Sequence, residues 1–124
     1  MKMLHTCYRV KDLEASIKFY EGALGFKEKR RMDFPEHKFT LVYLTLPGDE
    51  HELELTYNYD HPSYDLGNGY GHIAVSTSDI EGSHAKHKAA GYDVTDLSGL
   101  PGKDILFYFI KDPDGYKIEV VREK

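Results

Sequence analysis

The chain says one thing twice. When LHTCYRVKDLEASIKFYEGALGF, residues 4–26, is laid on GHIAVSTSDIEGSHAKHKAAGYD, residues 71–93, His5 meets His72, Asp12 meets Asp79, Leu13 meets Ile80, Glu14 meets Glu81 and Ser16 meets Ser83. Both histidines stand seven residues before an aspartate. A repeat on this scale means two copies of one supersecondary unit, neither able to bury its apolar face alone. Each half holds only about 60 residues, which is marginal for an independent fold. The halves are therefore expected to share a core within one 124-residue domain, or to find one in a second copy of the chain.

The local patterns agree between the copies. Residues 4–10 alternate as a strand, with Leu4 and Val10 on one face and His5, Cys7 and Arg9 on the other. Asp12 is a good N-cap for a helix with Leu13, Ile17, Tyr20 and Leu24 along one stripe, and Gly25 ends it. Strands are then expected around 27–33, over FTLVYLTL at 39–46 and over HELELTYN at 51–58, the last two joined by a turn at Pro47-Gly48. In the second copy GHIAVSTS reads as a strand. Ser78 or Asp79 can cap a helix carrying Ile80, His84, His87 and Ala90, with Ser78 and Glu81 at capping-box spacing. The strands YDVTDL, ILFYFIKD and YKIEVVRE come next, the last pair turning at Asp112-Pro113-Asp114-Gly115. The reading is an α+β fold of two β-α-β-β-β modules, 1–58 and 70–124, with a connector at 59–69 long enough to allow module exchange between two chains.

Charge and composition remove several function classes. Twenty-one acidic residues against 16 basic ones, with the basic ones mostly scattered, provide no surface for neutralising phosphates, so nucleic acid is not an expected partner. No apolar run is long enough for a membrane helix and no secretory signal is visible, so a soluble protein is expected. One cysteine, Cys7, excludes an internal disulfide and fits the cytoplasm.

The chemistry lies in the carboxylates downstream of the two histidines. Alternation places Glu52, Glu54, Thr56 and Asn58 on one face of the fourth strand, and Lys117, Glu119 and Val121 on one face of the last. From His5 to Glu54 is 49 residues and from His72 to Glu119 is 47. Two-fold packing of the modules would bring two imidazoles and two carboxylates together, a donor set suited to a divalent transition ion with open positions. A lone histidine at a strand start is more often a packing or surface residue. A carboxylate between aliphatics costs free energy unless it is paired, protonated or bound to metal, or else lies in water at a sheet edge. The matched placement of both pairs decides between these. His84 and His87 read as surface or interface residues. His37, His51 and His61 read as having no chemistry, and Cys7 as a small core residue.

HTCYRV, LELTYN, YGHIAV and DPDGYKIEVV resemble the corresponding segments of bacterial glyoxalase I, a family of the vicinal oxygen chelate superfamily, and the resemblance runs from about residue 3 to residue 122. It implies an eight-stranded barrel-like sheet in a homodimer, with active sites at the subunit interface. It implies His5, Glu54, His72 and Glu119 as ligands of one divalent metal per site, Ni2+ or Co2+ favoured by the short chain and Zn2+ the alternative. The implied reaction converts the hemithioacetal of methylglyoxal and glutathione into S-D-lactoylglutathione by way of an enediolate whose charge the ion offsets. A carboxylate moves the proton, Glu119 first and Glu54 as its symmetry-related second. The implied substrate-binding positions are Arg9 and Asn58, four residues beyond His5 and Glu54, together with Lys103 and, alongside its ligand role, His72. Where longer members place an arginine before the second histidine, this chain has Gly67-Asn68-Gly69-Tyr70, so the thiol is left open. The competing readings are another metalloenzyme of the superfamily (thiol transferase, epimerase or dioxygenase) and a metal-free small-molecule binding module.

Overall fold

A computed structural model describes residues 1–123. The elements run β1 (His5–Arg9), α1 (Leu13–Leu24), β2 (Lys27–Phe34), β3 (Phe39–Thr45), β4 (Glu52–Asn58), β5 (Ile73–Thr77), α2 (Ile80–Ala89), β6 (Ser98–Gly99), β7 (Leu106–Lys111) and β8 (Lys117–Arg122). This is β-α-β-β-β twice. The chain divides into two compact units, Met1–Asp65 and Leu66–Lys124. Each builds one four-stranded mixed sheet, in the order β1-β4-β3-β2 in the first and β5-β8-β7-β6 in the second.

In both units the first strand pairs in parallel with the last, and the remaining pairs are antiparallel. The helix between the first two strands is what makes that parallel pair reachable, since a parallel partner requires a crossover. Asp12 caps α1 by accepting from the Ala15 amide at 3.1 Å, and Gly25 closes it in the left-handed region at φ +79°. In α2 the cap is Asp79, accepting from the Gly82 amide at 3.0 Å.

Leu13, Ile17 and Tyr20 of α1 are buried with Tyr8, Val10, Val42, Leu44, Leu53 and Leu55, the core of the first unit. In the second unit Ile80 and His87 of α2 are buried with Tyr108, Ile110, Ile118 and Val120. Alternation then turns His5, Cys7, Arg9, Tyr43, Glu52 and Glu54 onto the sheet face away from that core, and Glu119, Ala74 and Phe109 likewise in the second.

Three expectations need correction. The strand expected over YDVTDL is reduced to a bridge between Val94 and Ile110 followed by the two residues of β6. Thr95 is the cause: its Oγ1 accepts from the Phe109 amide at 2.9 Å, taking a donor that a ladder would use. His87 is not at the surface. Its Nδ1 lies 2.7 Å from the Tyr108 hydroxyl inside the core, whereas the half-buried His84 reaches the Thr95 carbonyl at 2.9 Å. Cys7 is exposed rather than part of the core. The β2 strand also carries an irregularity: its register shifts between Glu28 and Arg30, leaving Lys29 extra and setting Arg30 opposite Tyr43.

Candidate functional site

The two histidine–glutamate pairs expected from the repeat both form. His5 Nε2 lies 3.2 Å from Glu54 Oε2, and His72 Nε2 lies 3.4 Å from Glu119 Oε1. His5 opens β1, whose parallel register places Cys7 opposite Glu54 of β4. His72 directly precedes β5, where Ala74 stands opposite Glu119 of β8. An aromatic ring completes each pair: His5 meets Tyr43 edge-on at 5.7 Å between centroids, and His72 meets Phe109 edge-on at 4.9 Å.

These spacings fit a metal. Nitrogen and oxygen ligands about 2.1 Å from one ion stand about 3.0–3.4 Å apart when the angle between them runs from square to tetrahedral. Both pairs fall in or at that range, and imidazole with carboxylate suits a divalent transition ion. Among the described residues, no group of three or more His, Cys, Asp or Glu side chains gathers closely enough to hold an ion, so each unit presents two donors.

The surroundings of the two carboxylates differ. Tyr43 donates its hydroxyl to Glu54 Oε2 at 2.7 Å, and Thr56 donates to Oε1 at 2.7 Å. Cys7 Sγ lies 3.3 Å from Thr56 Oγ1. Burial pushes the Glu54 carboxyl up, but the bonds from Tyr43, Thr56 and Cys7 and the charge of His5 outweigh it, and the net shift is downward. Burial, with the carboxylate beside it, holds the Tyr43 hydroxyl up at about 12. Although the residue is exposed, partial desolvation of its sulfur, together with the Glu54 carboxylate beside it, raises the Cys7 thiol, so this cysteine is a poor thiolate and a poor nucleophile.

A second layer supports Tyr43. The Arg30 guanidinium sits over its ring, 3.9 Å from the centroid. Glu52 grips the same guanidinium with both oxygens, one of them 2.9 Å from Nη2. The Arg30 bond is also what draws the buried Glu52 carboxyl below the ordinary range.

Of the expected substrate-binding residues, His72 lies in the second donor pair and the other three occupy different settings. Arg9 is exposed on β1, on the same face as His5. Asn58 ends β4 on the Glu54 face, its Nδ2 donating to the Tyr64 hydroxyl at 3.0 Å. Lys103 is exposed in the turn before β7, its amide donating to the Leu100 carbonyl at 3.1 Å. Sequence reading gave no role to Tyr43, Arg30 or Thr56. Counting outward equally from a turn centred on Gly48 and Asp49 pairs Tyr43 with Glu54, and that was the available signal.

Comparison with known proteins agrees with this geometry. Residues 2–120 match the model of the Glyoxalase/Bleomycin resistance protein/Dioxygenase superfamily. The chain is 44% identical over its full length to the lactoylglutathione lyase of Neisseria meningitidis, covering 92% of that protein. The trypanothione-dependent glyoxalase I of Leishmania major superimposes with a TM-score of 0.86 at 41% identity, over 99% of this chain and 87% of that one. Glyoxalase I from Zea mays gives 0.91 at 36% identity over 98% of this chain, which spans only 44% of the maize chain. With its duplicated module and both donor pairs, the chain belongs to the Glyoxalase/Bleomycin resistance protein/Dioxygenase superfamily and, within it, to the bacterial glyoxalase I family.

Proposed function

We propose that the chain is a lactoylglutathione lyase, isomerising the hemithioacetal of methylglyoxal and glutathione to S-D-lactoylglutathione, with His5, Glu54, His72 and Glu119 holding one divalent ion. The observation that carries this is the matched pair of histidine–glutamate contacts, 3.2 and 3.4 Å, at corresponding places in the two copies of the module. The full-length likeness to the Neisseria lactoylglutathione lyase supports it.

When bound, the ion supplies electrostatic stabilisation of the charge that develops on oxygen as a proton leaves the neighbouring carbon. Glu119 takes the proton from the carbon bearing sulfur and returns it to the adjacent carbonyl carbon, while the hydroxyl proton of the first carbon passes to the former carbonyl oxygen, so that the thioester carbonyl forms and no atom is gained or lost. Glu54 is the alternative proton carrier. Arg9 grips a carboxylate of the thiol through its planar fork, Asn58 donates to and accepts from an amide, and Lys103 meets the second carboxylate as a point charge. The active form is a cytoplasmic homodimer, in which modules pair to complete the four-donor set.

The test is to remove metal with a chelator, add back Ni2+, Co2+ or Zn2+ singly, and follow thioester formation from methylglyoxal with glutathione. Turnover restored by Ni2+ or Co2+ above Zn2+ is expected. No turnover with any ion overturns the reading. Because the Leishmania enzyme is described as trypanothione-dependent, other small thiols belong in the same assay.

A further inference from the structure

Across the first sheet one lateral row reads Arg30, Tyr43, Glu54, Cys7, each residue opposite the next in the register of β2, β3, β4 and β1. The matching row in the second sheet reads Phe109, Glu119, Ala74. The duplicated scaffold thus offers the same three places beside each glutamate and fills them differently. Glu54 has a phenol across one strand pair, a thiol across the other and the hydroxyl of Thr56 two residues on. Glu119 has Phe109, Ala74 and, two residues on, Val121, none of which carries a side-chain donor.

We propose that Tyr43 is a positioning residue that fixes Glu54 as the stationary carboxylate of the metal centre, which leaves proton transfer to Glu119. The inference rests on the ligand roles assigned above.

Both oxygens of Glu54 are committed, Oε1 to Thr56 and Oε2 to Tyr43, each at 2.7 Å. Bonds to a charged acceptor are the strong class, and two of them on one carboxylate fix its rotation as well as its place. Tyr43 is itself held on two sides. Its ring is edge-on to His5 and covered by Arg30, which Glu52 holds with both oxygens. Among the described residues, the contact made by the Glu119 carboxylate is the one with His72 at 3.4 Å. A carboxylate that leaves an ion to carry a proton must turn about its own side-chain bonds, and Glu119 breaks no hydroxyl bond in doing so. Glu54 breaks two. The outer partners of metal ligands commonly set affinity and activity by about ten-fold or more.

The experiment uses full-length protein loaded with Co2+, whose visible absorption reports the ligand field. The variants are Tyr43→Phe, Glu119→Gln and Tyr43→Phe/Glu119→Gln, with thermal unfolding of each metal-free protein as the check on folding. Tyr43→Phe is expected to alter the visible band and weaken Co2+ binding about ten-fold. Glu119→Gln is expected to lose turnover. The double variant is expected to regain at least about ten-fold over Glu119→Gln at similar KM, because the released Glu54 then serves as the proton carrier. An unchanged Co2+ spectrum in Tyr43→Phe, or a double variant no faster than Glu119→Gln, overturns the proposal. Absence of ion-dependent turnover in the unaltered protein removes the lyase reading instead, and the Co2+ spectrum alone then decides the role of Tyr43.

Discussion

Tyr43 and Phe109 hold the same position in two copies of one module. Each stands across an antiparallel strand pair from a glutamate, and each receives a histidine edge-on. They differ by one oxygen atom, and that atom reaches only one of the two carboxylates.

Neutralising the two glutamates should therefore have unequal effects. Glu119→Gln is expected to lower kcat by about 10²–10⁴-fold, the span of a general base, with the protein still folded by circular dichroism. Glu54→Gln should act first on metal retention, read by metal content after dialysis. Equal loss of metal in both variants would contradict the division.

The second unit has a test of its own at high pH. Burial pushes the Tyr108 hydroxyl up to about 12, with a bond to Ser83 working against it, from an ordinary 10.0. A raised value means that the folded state favours the neutral phenol. Its contribution is complete below pH 10.0 and is lost as pH rises towards about 12. The urea midpoint of the metal-free protein should fall across that interval, and tyrosinate absorbance should show Tyr108 lagging behind the exposed tyrosines.

His87→Ala should cost stability rather than chemistry. It removes a buried ring and leaves the Tyr108 hydroxyl without the partner now 2.7 Å away. Cavity and lost hydrogen bond together predict a loss of about 2–4 kcal/mol in urea unfolding. Metal affinity should stay within about two-fold, since additivity holds for sites that share no partner.

Asp112 sets the start of β8. Its buried carboxylate accepts from the amides of Asp114 and Tyr116, both at 2.9 Å, inside the turn that delivers Glu119 five residues after Asp114. Asp112→Ala removes the carboxylate that both amides donate to, and a loss of about 1–3 kcal/mol is expected in thermal or urea unfolding.

The donor pairs were legible in the sequence because each rests on two short-range rules, strand alternation and the repetition of His5 and Glu54 as His72 and Glu119. The partners of those donors were not. Tyr43 reaches Glu54 only once the β3–β4 register is known, and a slip of one residue would turn it to the other face. Arg30 was harder still, because it depends on an irregularity in β2 that no periodicity announces. Residues 92–97 misled for the opposite reason. Val94 alternates as a strand residue should, yet the Thr95 side chain takes the amide that would have extended the pairing. His87 has no partner carboxylate in the sequence to mark it, and its actual partner, the Tyr108 hydroxyl inside the core, lies 21 residues away on another element.

Lys29, the surplus residue of β2, touches neither imidazole, yet its being skipped decides which cation covers Tyr43. Were the pairing to run on from Glu28 without a break, Lys29 itself would face that ring. A compact ammonium would then replace a flat guanidinium, and the two-pronged grip of Glu52 would have nothing planar to hold. The break lies on the outermost strand of its sheet, where only one neighbour constrains the backbone. Descendants of this protein can thus retune how firmly one glutamate is held by sliding an irregularity along a border strand, with every ligand left untouched.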